Sequence, residues 1–308
     1  MKVLITGGAG FIGSNTAEHL LGLGWTVRVL DDLSGGSLDN LAGLNVEFLK
    51  GDIRDPKALS RAMKGVDAVL HLAALVSVPE SVKSPRLSHE INETGSFNVF
   101  EAARAAGVKR VVAASSSAVY GNGKGLPKRE EMPVRPESPY AFGKAAVEHY
   151  AYVFSSLYGV EGVCLRYFNV FGPKQSFSSP YSGVISRFSA AMSDGAPITI
   201  FGDGRQTRDF VYVADVAAAN AKALSSKRVG KGEAINIGAG RAASLLELAR
   251  AIAEVRGRKP EIRFGAVRRG DIRYSLSDIS LAKKLLGYKP RFSLKQGLEL
   301  TMKAGRAG

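Results

Sequence analysis

An α/β fold is what this sequence predicts: a doubly wound parallel sheet with a smaller C-terminal lobe that is discontinuous in sequence. Three observations lead there. From Lys2 to Arg166, short apolar runs alternate with helical stretches without a break, and strands separated by helices pair in parallel through right-handed crossovers. The first strand runs straight into Thr6-Gly7-Gly8-Ala9-Gly10-Phe11-Ile12-Gly13-Ser14, a strand, glycine loop and helix start in the order that lets backbone approach a bulky anion. Past residue 168 the alternation stops, and Asn169 to Gln206 is rich in glycine and proline. The division expected is a sheet domain of residues 1–168 plus about 209–238, and a lobe of about 169–208 plus 239–308.

Lys2-Val3-Leu4-Ile5 reads as a buried parallel strand. Glycines at 7, 10 and 13 then allow a tight turn and close approach, so the loop, with Phe11 and Ile12 at the helix start, is expected to cradle a dinucleotide pyrophosphate. The second strand, Thr26 to Leu30, ends in Asp31, 18 residues past Gly13. A carboxylate there can accept hydrogen bonds from both adenosine ribose hydroxyls. It would repel a 2′-phosphate and no arginine immediately follows it, so NAD is expected rather than NADP. Asp32, Ser34 and Gly35 lie in a turn-rich stretch suited to the adenosine side. Val46 to Leu49 is a third strand, followed by Gly51-Asp52-Ile53, where Asp52 is either an acceptor for the adenine amino group or a plain turn residue.

Ala68 to Ala74 is a fourth strand whose end, Leu72-Ala73-Ala74, leaves space for the cofactor, since ligands lie beyond the carboxyl ends of parallel strands. His71 reads as a packed strand residue. A helix is expected from about Ser88 to Ala106, stopped by Gly107. The fifth strand, Arg110 to Ala114, delivers Ser115-Ser116-Ser117 to the same edge. After a proline-rich loop, a helix beginning near Tyr140 carries Lys144 one turn on, so both side chains share a face. Glu161 to Arg166 is the sixth strand. In the second half, Val184 to Met192, Leu245 to Ile252 and Ile279 to Leu286 read as helices, and Phe210 to Val213 and Ala234 to Ile237 as short strands returning toward the sheet.

With 308 residues and 45% hydrophobic content, the chain can hold a large core. Cys164, the single cysteine, sits in an apolar run and reads as a strand residue, which excludes an internal disulfide. No leader-like stretch precedes the glycine loop and no apolar run is long enough to span a bilayer, so a cytoplasmic protein with no membrane partner is expected. The net charge of +14 is spread along the chain and not massed with interleaved aromatics, which argues against nucleic acid. It fits a solvated basic surface, arginines gathered around an anionic substrate, or both. No metal site is expected.

Tyrosine, with an ordinary pKa of about 10, is a poor base near neutrality unless a cation favours the phenolate. Lys144 supplies one, and an oxidised nicotinamide would supply another, allowing Tyr140 to remove a substrate hydroxyl proton while hydride leaves the same carbon. Ser116 would bridge that hydroxyl and the phenol.

TGGAGFIGS at the start, SSSAVYG at 115–121, YAFGK at 140–144, RYFNVFGP at 166–173, GDGRQTRDFVYV at 202–213, RRGDIRYSLSD at 268–278 and LLGYKP at 285–290 together resemble the extended short-chain dehydrogenase/reductases, and within them the UDP-hexose 4-epimerases. The resemblance covers nearly the full length. It implies a Rossmann domain, a smaller substrate-binding lobe, and a tightly held NAD that oxidises C4 of a UDP-sugar and returns the hydride to the opposite face. Tyr140 is then the base, Lys144 its electrostatic support and Ser116, four before Tyr120, the proton relay. On the cofactor side the resemblance adds Ala114 and Tyr167. On the substrate side it places Asn169 at the phosphates, Arg208 and Arg268 on the diphosphate, Asp271 at the uridine ribose, and Val184 nearby; Asp271 pairing only with Arg268 is the alternative.

Dehydrating relatives carry an Asp-Glu pair after the relay hydroxyl, whereas this chain has Ser117-Ala118. Val76 stands where some epimerases have lysine, which moves the chain toward relatives that accept N-acetylated sugars. Ser275, four past Asp271, corresponds to a residue beside the sugar C2 substituent, and Ser77 to a hydroxyl near an acetamido group. UDP-glucose and UDP-galactose, with their N-acetylated counterparts, are the substrates this implies. UDP-glucuronate epimerisation, a decarboxylase or dehydratase, and a non-catalytic NAD-sensing protein are the alternatives. A homodimer is expected through helices at about 88–106 and 140–158, the second apolar at Ala145, Val147, Ala151, Val153, Phe154 and Leu157.

Overall fold

A computed structural model describes the chain except for residues 124, 176–182, 268–272 and 305–308. The strands of the first half are β1 (Lys2–Thr6), β2 (Thr26–Asp31), β3 (Glu47–Lys50), β4 (Ala68–His71), β5 (Arg110–Ser116) and β6 (Glu161–Tyr167). β7 (Asn169–Phe171), β8 (Ile198–Phe201) and β9 (Thr207–Tyr212) follow, then β10 (Lys231–Ile237), β11 (Ala242–Ser244) and β12 (Ile262–Gly265). The main sheet has seven parallel strands in the order β10-β6-β5-β4-β1-β2-β3. The order reverses between β1 and β4, which opens a crevice at their carboxyl ends.

Side chains along β1 alternate between two cores. Val3 and Ile5 pack on one face with Ala17 and Leu20 of α1 (Phe11–Gly22). Leu4 packs on the other with Leu59 and Met63 of α2 (Pro56–Met63). All three β1 side chains are fully buried, each contributing about 1.5–3 kcal/mol. The sequence reading has no counterpart to α2, whose short amphipathic run is capped by Asp55 accepting from Lys57 N.

The expected helix over residues 88–106 is irregular. α3 (Val78–Lys83) and α4 (Pro85–His89) precede a π-helical turn, Glu90–Gly95, and only then does α5 (Ser96–Ala105) run regularly. At this turn Ser96 Oγ donates to the Asn92 carbonyl at 2.7 Å, while the Asn92 side chain turns away to grip Leu75. α6 (Pro139–Tyr158) starts one residue before Tyr140, capped by Ser138, and ends at Gly159, whose φ of 69° suits glycine.

A second core, apart from those of the main sheet, holds a three-stranded sheet, β11-β9-β7, and a parallel pair, β12-β8. Its helices are α7 (Val184–Ser193), α9 (Leu245–Arg256) and α11 (Leu294–Ala304), while α8 (Val213–Ser225) and α10 (Ser280–Leu286) pack on the main sheet. One expectation is corrected here. Ala234–Ile237 does return to the main sheet within β10, but Phe210–Val213 does not. The open edge of β6 is taken by β10, with Ala234 opposite Cys164, so β9 pairs instead with β7 and β11.

Candidate functional site

The glycine loop is shaped by close approaches. Gly7 has φ 71°, and a Cβ there would lie 2.6 Å from Ala73 N; at Gly13 a Cβ would overlap Gly7 O. Gly10 is the N-cap of α1, with no side chain capping the helix and no acidic residue in its first turn. The first-turn N–H groups therefore present an unspent positive end to an anion. Gly8 and Gly36 also lack space for a Cβ, against Val29 and Ala9, which the motif spacing did not reveal; Gly35 stands in the open. The cradle fits a dinucleotide.

Asp31 ends β2 nearly buried. Its Oδ2 accepts from Ala9 N at 2.9 Å and its Oδ1 from Leu33 N at 2.8 Å. Burial raises its pKa while those two backbone donors pull it down. The carboxylate thus holds the loop as well as offering its remaining lone pairs. Asp32 accepts from Ser34 N and Oγ. Asp52 is gripped by the Arg54 guanidinium, which holds it below the ordinary carboxylate range. Ile53 packs against Gly95, and the phenol of Tyr167 donates to Asn220 inside the core.

Ser116 at the end of β5 lies beside Tyr140, and Tyr140 and Lys144 share a face of α6. The Ser116 hydroxyl accepts from Ala118 N at 3.1 Å and, beside the Tyr140 phenol, lowers its pKa; burial outweighs this and raises it. Lys144 is 5% exposed, donates to Ala114 O at 3.0 Å, and stands 5.9 Å from the Tyr140 ring centroid. Burial lowers its pKa to about 8.

Three supporting residues escaped the sequence reading. Asn92 clamps Leu75, accepting from its N–H at 2.8 Å and donating to its carbonyl at 3.0 Å, which fixes the loop after Leu72, Ala73 and Ala74. A Cβ on Gly143 of α6 would meet Asn92 at 2.7 Å, so the same residue abuts the helix that carries Tyr140 and Lys144. Ser81 accepts from Tyr140 N at 3.2 Å. Glu148, one turn past Lys144, accepts from Ser115 Oγ at 2.5 Å and pairs with both Nε and Nη2 of Arg166 at 2.8 Å. Glu148 continues the helical spacing of Tyr140 and Lys144, but its partners Ser115 and Arg166 are not visible from that spacing.

On the substrate side, Asn169 opens β7 opposite Phe210, Val184 begins α7, and Arg208 on β9 donates to Thr207 O. Ser275 is 8% exposed and its N–H donates to Thr207 O at 3.1 Å, whereas Tyr274 is 45% exposed. Ser77 caps α3, accepting from Glu80 N at 3.1 Å, which leaves its proton to donate. Arg268 and Asp271 lie outside the described residues. Among the described residues, no group of three His, Cys, Asp or Glu side chains is placed to hold a metal.

Comparison with known proteins agrees with this geometry. The sequence profile of the NAD dependent epimerase/dehydratase family matches residues 3–238. The chain is 40% identical over 308 residues to the UDP-glucose 4-epimerase of Mycolicibacterium smegmatis, covering 98% of this chain and 97% of that protein. It is similar to the crystal structure of Thermus thermophilus UDP-glucose 4-epimerase in complex with NAD, at TM-score 0.91 and 39% identity, with 100% of both chains covered. A UDP-N-acetylglucosamine 4-epimerase from Methanobrevibacter ruminantium, in complex with UDP-N-acetylmuramic acid, superposes at TM-score 0.94 and 38% identity, covering 99% of this chain and 98% of that one.

Proposed function

The chain belongs to the NAD-dependent epimerase/dehydratase family, and from that premise we propose that its cleft interconverts UDP-glucose and UDP-galactose through a 4-keto sugar. The observation that carries this is the Ser116, Tyr140 and Lys144 cluster, reached from the glycine cradle, with Ser117 and Ala118 where elimination of water would need carboxylates. NAD, when bound, supplies reversible two-electron oxidation at C4. Tyr140 takes the C4 hydroxyl proton, with Ser116 holding that hydroxyl against the phenol, and gives it back once the sugar has turned. Lys144, kept cationic below about pH 8, stabilises the phenolate. Arg208, with Arg268 and Asp271 as expected from the sequence, holds the nucleotide. Incubating the purified protein with UDP-glucose should yield UDP-galactose; release of carbon dioxide, or a stable keto-deoxy sugar, would place the enzyme in another class.

N-acetylated UDP-hexoses belong to the same proposal. Ser275 is small and turned inward while Tyr274 faces out, which supports the register that sets Ser275 beside C2. Ser275→Tyr should cut turnover of UDP-N-acetylglucosamine and UDP-N-acetylgalactosamine about tenfold or more, through lost space, and spare the plain hexoses. Equal losses on both pairs would remove this position as the gate.

We also assign a cytoplasmic setting and a homodimer built on α5 and α6. Among the described residues no helix is long and apolar enough to cross a membrane. Ala145, Val147, Ala151 and Phe154 pack inside the protomer, but Phe97, Tyr152, Val153, Leu157 and Tyr158 leave an exposed apolar face, with Leu157 at 70%. A sedimentation mass of one chain at micromolar concentration would refute the dimer.

A further inference from the structure

Residues 273–278 form a strap that crosses from the second lobe to the catalytic domain. It is stitched to β9 by Thr207 N donating to Arg273 O and Ser275 N donating to Thr207 O, at 2.9 and 3.1 Å. On the other side Lys128 N donates to Leu276 O and Asp278 N to Lys128 O. These are ordinary backbone pairings. The strap also has a buried anchor, Asp209, which is fully inaccessible to solvent.

Asp209 Oδ2 accepts from Ser277 N at 3.0 Å, Ser277 Oγ at 2.5 Å and Gly240 N at 3.1 Å; its Oδ1 accepts from Ala239 N at 2.7 Å. One carboxylate therefore joins β9, the turn after β10, and the strap. The chain makes room for it at Gly238, where a Cβ would overlap Ser277 Oγ and come within 2.8 Å of Asp209 Oδ2. Burying a carboxylate is costly unless its lone pairs are satisfied, and here four donors converge on it. Burial raises its pKa, and the Ser277 and backbone donors oppose that. A turn that only needed closing does not require a buried charge. The group it fixes most firmly, Ser277, lies two residues beyond Ser275, and Asp209 itself follows Arg208.

We propose that Asp209 is a positioning residue for UDP-sugar binding, pinning the strap through Ser277 so that Ser275 keeps its inward register beside the strand that carries Arg208. The proposal rests on the reading that Arg208 and Ser275 meet the nucleotide sugar. Asp209 touches no substrate; it sets where its neighbours stand.

The test compares Asp209→Asn, Ser277→Ala and Arg208→Ala in the full-length, NAD-loaded enzyme, measuring UDP affinity by calorimetry, KM and kcat for UDP-glucose, retained NAD and melting temperature. In Asp209→Asn one of the converging donors must face an amide N–H. UDP affinity should fall and KM rise about tenfold, with kcat within about threefold and NAD retained, the pattern of lost uniform binding. Ser277→Ala removes one hydroxyl and should move the same quantities in the same direction by about threefold, and it carries the test alone if Asp209→Asn does not fold. Wild-type UDP affinity and KM in both variants, with only a lowered melting temperature, would overturn the proposal. If Arg208→Ala weakens UDP binding while the other two do not, the proposal alone fails; if none of the three does, the substrate-site reading fails with it.

Discussion

Tyr140→Phe should cut turnover by about 10²- to 10⁴-fold while NAD stays bound, the range expected when a general base is lost and its aromatic body kept. The geometry explains why so much hangs on one hydroxyl. Among the neighbours of the phenol, Ser116 can relay a proton but cannot keep it, and Lys144 is buried with its ammonium donating to Ala114 O. Burial raises the phenol above its ordinary value, so in the free protein the base form is scarce at neutral pH and the rate should climb as pH rises toward the phenol's pKa. Lys144 opposes that climb, because its charge is half lost at about pH 8. Both effects act through the phenolate, so Tyr140→Phe should flatten the rising limb of the pH profile. A residual rate with the wild-type pH dependence would mean that another base does the work.

Glu148→Ala should destabilise the protein by about 3–5 kcal/mol, the loss expected when a buried ion pair is broken from one side. Glu148 and Arg166 are 8% and 4% exposed, and the pair is bidentate. Burial alone would push Arg166 down, but its bonds to Glu148 outweigh that and hold it above its ordinary value. Removing the carboxylate strands a guanidinium whose other partners are Tyr120 OH and Glu130 O, at 2.8 and 3.2 Å, and frees Ser115 beside Ser116. Urea unfolding reads the loss directly. The double variant Glu148→Leu with Arg166→Met should recover much of it, because the desolvation cost goes with the charges. A loss below about 1 kcal/mol in the single variant would mean that the pair is hydrated.

These two sites differ in how far the sequence announces them. Tyr140 and Lys144 share a helix face, and the glycine cradle precedes a strand ending in Asp31; both patterns are local, so spacing reveals them. Glu148 sits on the same face, but Arg166 and Ser115 reach it from two strands that only the sheet brings together. Asn92 was read only as part of a regular helix, because a π turn leaves no period of its own in so short a run. Asp209 does not stand out beside Arg208 in the sequence, since its four donors come from segments 30 to 68 positions away. Beyond β6, α7, α9 and α10 are legible from their apolar period. β8, β11 and β12 have three or four residues each, too few to show one.

The place of β10 in the chain has a consequence for how the protein is made. The main sheet ends at β6 in sequence order until Lys231–Ile237 arrives, and between them the chain leaves to build β7, β8 and β9. Until β10 is synthesised, β6 has no neighbour on that side: alternate residues along it bond β5, and the backbone donors and acceptors of the others stay unspent. Open edges invite strands from other chains. A chain shorter than Lys231–Ile237 carries the whole cofactor cradle but a sheet one strand short, with the β6 edge exposed to pairing.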